Sequence, residues 1–112
     1  MDITSWKSQL RKGAAELAVL SAVENDRLFG LRILERIREG AGLEITEGTL
    51  YPLLNRLQRD GKIASEWVED EGASHPRKYY HITQDGARLL QEMKKEWTGF
   101  ARAINQLLAE DD

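Results

Sequence analysis

The chain has 112 residues, no cysteine, and 16 Lys plus Arg against 19 Asp plus Glu, a formal charge of −3. That length allows one ordinary domain with a modest core, and the lack of cysteine excludes disulfides and thiolate metal sites. No apolar run approaches the roughly 20 residues of a membrane span, and the opening MDITSWKSQL is too polar for a signal peptide, so a cytoplasmic protein with no membrane partner is expected. The negative balance argues against a protein that coats polyanions over its whole surface, but leaves room for a local basic patch.

Residues 8 to 24 place Leu10, Ala14, Leu17, Ala18 and Leu20 at helical spacing, and Asn25-Asp26 closes this first helix. Before it, Ile3 and Trp6 lie in a polar segment that reads as a short helix or an arm, its Trp packing onto a neighbouring surface. A second, shorter helix covers 30 to 38 through Leu31, Ile33, Leu34 and Ile37, and Gly40-Ala41-Gly42 ends it.

The third helix runs from 46 to 60. Thr46 or Thr49 is its N-cap and Asp60-Gly61 its stop. Pro52 is tolerated in the first turn if Thr49 caps; if Thr46 caps, the backbone is expected to bend near Gly48. Leu50, Leu53, Leu54 and Leu57 occupy about one third of the circumference, at roughly 100° per residue. Tyr51, Asn55, Arg56 and Arg59 lie on the other side.

After Gly61 the period changes to two. KIASEWVED and RKYYHIT alternate as strands, and EGASHP between them is rich in turn formers, which predicts a two-stranded hairpin. Thr83 then caps a final helix running to about Ala109. Its Leu90, Met93, Trp97, Phe100, Ile104 and Leu107 recur at alternating steps of three and four, the seam of a helix that pairs with another helix.

Short helices, a hairpin and a long helix make the winged helix-turn-helix order, in which the third helix enters the major groove and the wing touches the backbone. The fold expected is mainly α with a small β-hairpin: residues 1–82 form the DNA-binding winged helix and 83–112 the C-terminal dimerisation helix, together one compact unit. The leucine stripe holds the third helix to the first two. Thr46, Thr49, Tyr51, Asn55, Arg56 and Arg59 then face base edges and phosphates, Asn being suited to bidentate pairing with adenine. The plainer reading of that face is simple solvation. On the wing, His75, Arg77 and Lys78 suit phosphate contact, whereas Glu69, Asp70 and Glu71 would repel DNA; one strand is therefore expected to face the duplex and the other solvent. Two histidines six residues apart, with scattered acids, lack a metal-ligand spacing. No acid–base pair accompanies a nucleophile, and the glycines form no phosphate loop, so neither catalysis nor a cofactor is expected.

EGTLYPLLNRLQRDGKI, followed by SEW and PRKYYHIT, resembles the PadR family of bacterial transcriptional regulators, closely over residues 44 to 86 and more loosely beyond. The most specific pieces are GTLYP, the L-x-x-x-G-x-I that ends the third helix, and RKYY leading into IT. The resemblance implies a homodimeric repressor whose C-terminal helix forms the interface and whose grip on an operator is loosened by a small effector. Leu28-Phe29-Gly30-Leu31-Arg32 departs from the His-Gly-Tyr plus acid found in many members. The chain ends after one long helix, like the short branch of the family, some of whose members bind flat aromatic compounds between subunits. Trp97 matches the tryptophan lining that pore, with Met93 beside it; plain interface packing is the alternative for a Trp on such a seam.

The function expected is therefore repression through a pseudo-palindromic double-stranded operator, bound as a homodimer and released by a small aromatic effector. The alternative, from a different class, is a winged-helix module that docks on protein partners through the same polar face.

Overall fold

The computed structural model describes residues 1–110, and of Glu110 the backbone alone. The order is α1 (Ile3–Ala22), β1 (Leu28–Phe29), α2 (Gly30–Ala41), α3 (Glu47–Arg59), β2 (Ile63–Val68), β3 (Arg77–Ile82) and α4 (Gln84–Glu110). The mainly helical architecture with a winged helix and a long C-terminal helix is as expected. Two elements differ from the sequence reading.

First, α1 begins at Ile3, not near residue 8, so Ile3 and Trp6 belong to its first turns and not to a separate arm. The cause is local: the Asp2 carboxylate caps the helix by accepting from the Ser5 N–H at 2.8 Å. Second, the sheet has three strands in the order β1-β3-β2, not two. Leu28 and Phe29 pair antiparallel with Tyr80 and Tyr79, putting β3 in the middle. Two residues are too few to show a period, so the strand leaves no pattern in the sequence.

The core lies where α1, α2 and α3 meet the inner face of the sheet. Val19, Leu20, Ile33, Leu50, Leu54, Ile63 and Leu90 are fully enclosed, and Leu53 and Leu57 complete the leucine stripe of α3. At about 1.5–3 kcal/mol for each fully buried large aliphatic side chain, the four leucines fix α3 on the scaffold far more strongly than any single polar contact. Thr46 is the cap of α3, its Oγ1 accepting from the Thr49 N–H at 3.2 Å. Pro52 therefore sits six residues into the helix. Its missing N–H falls on the solvent side, and α3 runs through it without interruption.

A tight joint ties this unit to α4. The Thr83 hydroxyl caps α4 by accepting from the Gly86 N–H at 3.0 Å and itself donates to the Gly61 carbonyl at 2.6 Å, while the Thr83 N–H donates to the Lys62 carbonyl at 3.1 Å. Lys62 also pairs with Asp85 at 2.8 Å. The two chain segments are so close that a Cβ on residue 86 would lie 1.9 Å from the Lys62 carbonyl oxygen, which is why glycine stands there. From this joint α4 runs for 27 residues in all, about 40 Å at 1.5 Å per residue. Its second half leaves Trp97, Phe100, Ile104, Leu107 and Leu108 exposed.

Candidate functional site

The outward side of α3 is narrower than its sequence suggests. With the leucine stripe on the core, helical geometry puts Gly48, Pro52, Asn55 and Arg59 at the centre of the free face, and all four are exposed. Asn55 makes no side-chain hydrogen bond among the described residues. Among the described residues the one ion pair of Arg59 is with the neighbouring Asp60, at 3.7 Å. Gly48 and Pro52 are absent from the sequence-based site, although the same helical wheel places them: between them they present no polar side chain, and so allow close approach of another surface.

Two residues assigned to this face are held on its flanks. Tyr51 leans over the start of α2, where a Cβ on residue 30 would lie 2.4 Å from its hydroxyl oxygen, so Gly30 makes room for the ring. Its neighbour Tyr80 has its phenol pushed up, first by burial and then by Tyr51. On the opposite flank the Arg56 guanidinium is paired with Glu16 of α1. It is thus a bridge between helices in this structure rather than a free cation. Gln58 is likewise engaged, accepting from the Ser65 hydroxyl at 2.9 Å.

The wing divides by face, not by strand. In the β2–β3 register, Ser65 opposes Tyr80 and Trp67 opposes Lys78, and these pairs share the inner face on which α3 lies. Glu66 with Tyr79 and Val68 with Arg77 share the outer face. The expectation that one strand faces a duplex and the other solvent is corrected accordingly. On the outer face, Arg77 lies 4.4 Å from the Phe29 ring centre and 3.8 Å from Asp70. Asp70 also accepts from the Tyr79 hydroxyl at 2.6 Å, which raises the Tyr79 phenol above its usual range. One of the three wing acids is therefore satisfied locally. On the inner face, Lys78 extends its ammonium between the rings of Trp67 and Tyr80, 5.9 and 5.7 Å from their centres, with no acid in ion-pair reach among the described residues. Trp67 is 69% exposed. His75 is exposed at the tip beside the Ser74 hydroxyl. Among the described residues no three His, Cys, Asp or Glu side chains gather as metal ligands.

Along α4 the seam has two different halves. Leu90 is fully buried in the chain's own core, so its assignment to an interface between chains is corrected: a second chain cannot reach it. Met93 is partly covered. From Trp97 onward the stripe is open, and Ile3, Trp6 and Leu10 of α1 are exposed as well. Between α1 and α4 lies a groove of about 490 Å³, in which Leu10, Gly13 and Leu17 face Met93, Trp97 and Phe100, with Glu96 at the side.

The chain matches the family model described as the Transcriptional regulator PadR-like family over residues 19–92. A transcriptional regulator of Mycobacterium tuberculosis is 27% identical over 96 residues, covering 86% of this chain and 87% of that protein. The crystal structure of a PadR family transcriptional regulator from Eggerthella lenta has a TM-score of 0.82 at 36% identity, covering 95% of this chain and 91% of that one. A PadR-like transcriptional regulator from Bacillus cereus has a TM-score of 0.79 at 30% identity, with 89% and 96% covered. With a leucine-anchored α3, a wing and a long terminal helix arranged as in these proteins, the chain belongs to the PadR-like family and is a winged-helix transcriptional regulator, not an enzyme.

Proposed function

We propose that this regulator represses transcription in the cytoplasm by binding a pseudo-palindromic operator as a homodimer, and that a small planar aromatic effector releases it. The observation that carries the reading is the free face of α3. Asn55 and Arg59 stand exposed on a helix whose other side is locked into the core, so they can meet base edges in a major groove without the scaffold moving. Thr46 and Thr49 lie at the leading end of that helix. On this reading Lys78 and His75 of the wing meet backbone phosphates, with Arg77 behind them.

Dimerisation is supported by the open stripe on α4, because Trp97, Phe100, Ile104, Leu107 and Leu108 form an apolar row longer than a soluble monomer ordinarily leaves in water. Two such rows related by a two-fold axis cover each other. The groove beside Trp97 then becomes the effector site. Its walls are aromatic and aliphatic, and the Glu96 carboxylate favours a planar cation.

Selection of bound duplexes from a random pool tests operator binding and half-site spacing together, and a salt titration of the selected duplex separates DNA binding from docking on a protein. Recovery of no enriched sequence would refute operator recognition. The effector is tested by titrating planar aromatic cations while following tryptophan fluorescence, in the native chain and in Trp97→Ala. Quenching that is unchanged by the substitution would place the pocket elsewhere.

A further inference from the structure

The cations that α3 itself offers are largely answered by acids of the same chain: Arg56 by Glu16, and Arg59 in part by Asp60. Phosphate contacts therefore have to come mainly from other elements. Among the described residues, Lys7, Arg11 and Lys12 of α1 have no acid within ion-pair distance, a state they share with Lys78, Arg38, Lys95 and Arg102. Three of these cations thus cluster in the first half of one helix.

That half of α1 has two faces. At roughly 100° per residue, Ile3, Trp6 and Leu10 lie within about 60° of one another, whereas Ser8, Arg11 and Lys12 lie on the opposite side. The apolar face is the one exposed alongside α4. The polar face looks at the leading end of α3, where Ser8, Arg11 and Lys12 border a recess of about 120 Å³ together with Ile45, Thr46 and Thr49. Glu44 borders the same recess but pairs with neither cation.

We infer that Arg11 and Lys12, with the Ser8 hydroxyl, form a second edge of the DNA interface that holds backbone phosphates beside the groove entered by α3. This rests on the DNA-binding reading above and deepens it. The chain carries a net negative charge, so a duplex is attracted only where unanswered cations are grouped. Arg11 and Lys12 border the leading end of α3, and Lys78 stands on the wing that follows it, so the two groups lie on different elements beside the reading helix. A phosphate met by Arg11 and Lys12 positions the helix and carries no sequence information directly. Because the apolar side of the same helix points away from the cations, covering it in a dimer leaves the phosphate edge open.

The test is the salt dependence of binding to the operator selected by the native protein. Each phosphate deprived of its cation lowers the slope of log K against log salt by roughly 0.9, so Lys12→Gln in both protomers is expected to reduce it by about 1.8, and Arg11→Gln with Lys12→Gln by up to about 3.6. Base preference is expected to stay unchanged. Arg11→Lys, which keeps the charge, should retain most of the slope, and Lys95→Ala, an unpaired cation on α4 away from the apolar stripe, should leave it unaltered. Sedimentation and thermal melting establish that the variants are assembled and folded; if the double variant does not fold, the single change at exposed Lys12 decides the matter by the same slope. An unchanged slope in that variant overturns the inference, as does an equal fall with Lys95→Ala. Absence of salt-dependent binding by the native protein would instead refute the DNA-binding reading itself.

Discussion

Gly86→Ala isolates the joint between the reading unit and α4. The added methyl would lie 1.9 Å from the Lys62 carbonyl oxygen and 2.9 Å from Ile82 Cγ1. Ordinary contact begins near 3.4 Å, so the segments have to separate by about 1.5 Å. The obstacle is backbone, which has no rotamer to change. Separation stretches the bonds from Thr83 to the Gly61 and Lys62 carbonyls, together with the Lys62–Asp85 pair. Overpacking costs about 1–3 kcal/mol, and weakening two hydrogen bonds adds about 1–2 kcal/mol. Replacing a helical glycine by alanine returns up to about 1 kcal/mol. The net loss is about 1–5 kcal/mol, and at roughly 4 °C per kcal/mol for a domain of this size the melting temperature should fall by about 4–20 °C. Thermal melting followed by circular dichroism measures it; a change below about 2 °C would refute the account of the joint. Gly30→Ala is the contrasting case, since the added Cβ there meets the movable end of Tyr51. Its cost should be smaller, and Tyr51→Ala in the same chain should relieve it.

Other outcomes separate the roles assigned along the chain. Leu90→Ala should cost about 2–5 kcal/mol of stability by opening a cavity in the core, whereas Leu107→Ala should weaken self-association in sedimentation; the reverse pattern would overturn the division of the α4 seam. Asn55→Ala should relax base preference at one position of each half-site, and Lys78→Ala should weaken all duplexes about equally while lowering the salt slope; the same loss of specificity from both would sink the assignment. The Asp85 carboxyl is held below its ordinary value of 3.8, chiefly by its hydrogen bond with Lys62 and then by that with Arg88. Its contribution to stability is therefore present above that value and disappears as the pH falls below it. Asp85→Asn should lower the melting temperature near pH 6 and have little effect near pH 2, and an equal loss at both would refute the ionic origin.

What is legible in the sequence is whatever repeats. The leucine stripe of α3 and the alternation of β2 and β3 recur often enough to define a face, and the structure places those faces accordingly, whereas the α4 seam recurs as regularly but divides between the core and the surface. β1 has only Leu28 and Phe29, and it forms because β3 offers Tyr80 and Tyr79 some fifty residues later. The start of α1 is signalled by Asp2, a residue type suited to an N-cap, and by Ile3, Trp6 and Leu10 at steps of three and four, but the polar residues between them make the segment read as an arm. The pinning of Tyr51 and Arg56 is not discoverable by period, since their partners Gly30 and Glu16 are distant in the chain. Leu90 and Leu107 occupy equivalent positions on one seam. Only the folded chain shows that α1 and the sheet cover the first and not the second.

On the proposed reading, α1 is the element through which effector, partner and DNA become energetically linked. Its Leu10, Gly13 and Leu17 form one wall of the groove beside Trp97, its Glu16 holds Arg56 of α3, and its Arg11 and Lys12 border the recess at the leading end of that helix. A ligand wedged between α1 and α4 presses on a rigid helix of 20 residues, not on a loop. Any displacement it causes is therefore carried to both the Glu16–Arg56 pair and the phosphate edge. The joint at Thr83 and Gly86 simultaneously fixes the base of α4 to the α3–β2 turn, so the displacement cannot be absorbed there. Linkage then requires that DNA weaken the effector by the same factor by which the effector weakens DNA. A ligand that binds equally well in both arrangements would shift nothing, however tightly it binds, so release depends on the fit of the groove in one spacing of α1 and α4 against the other.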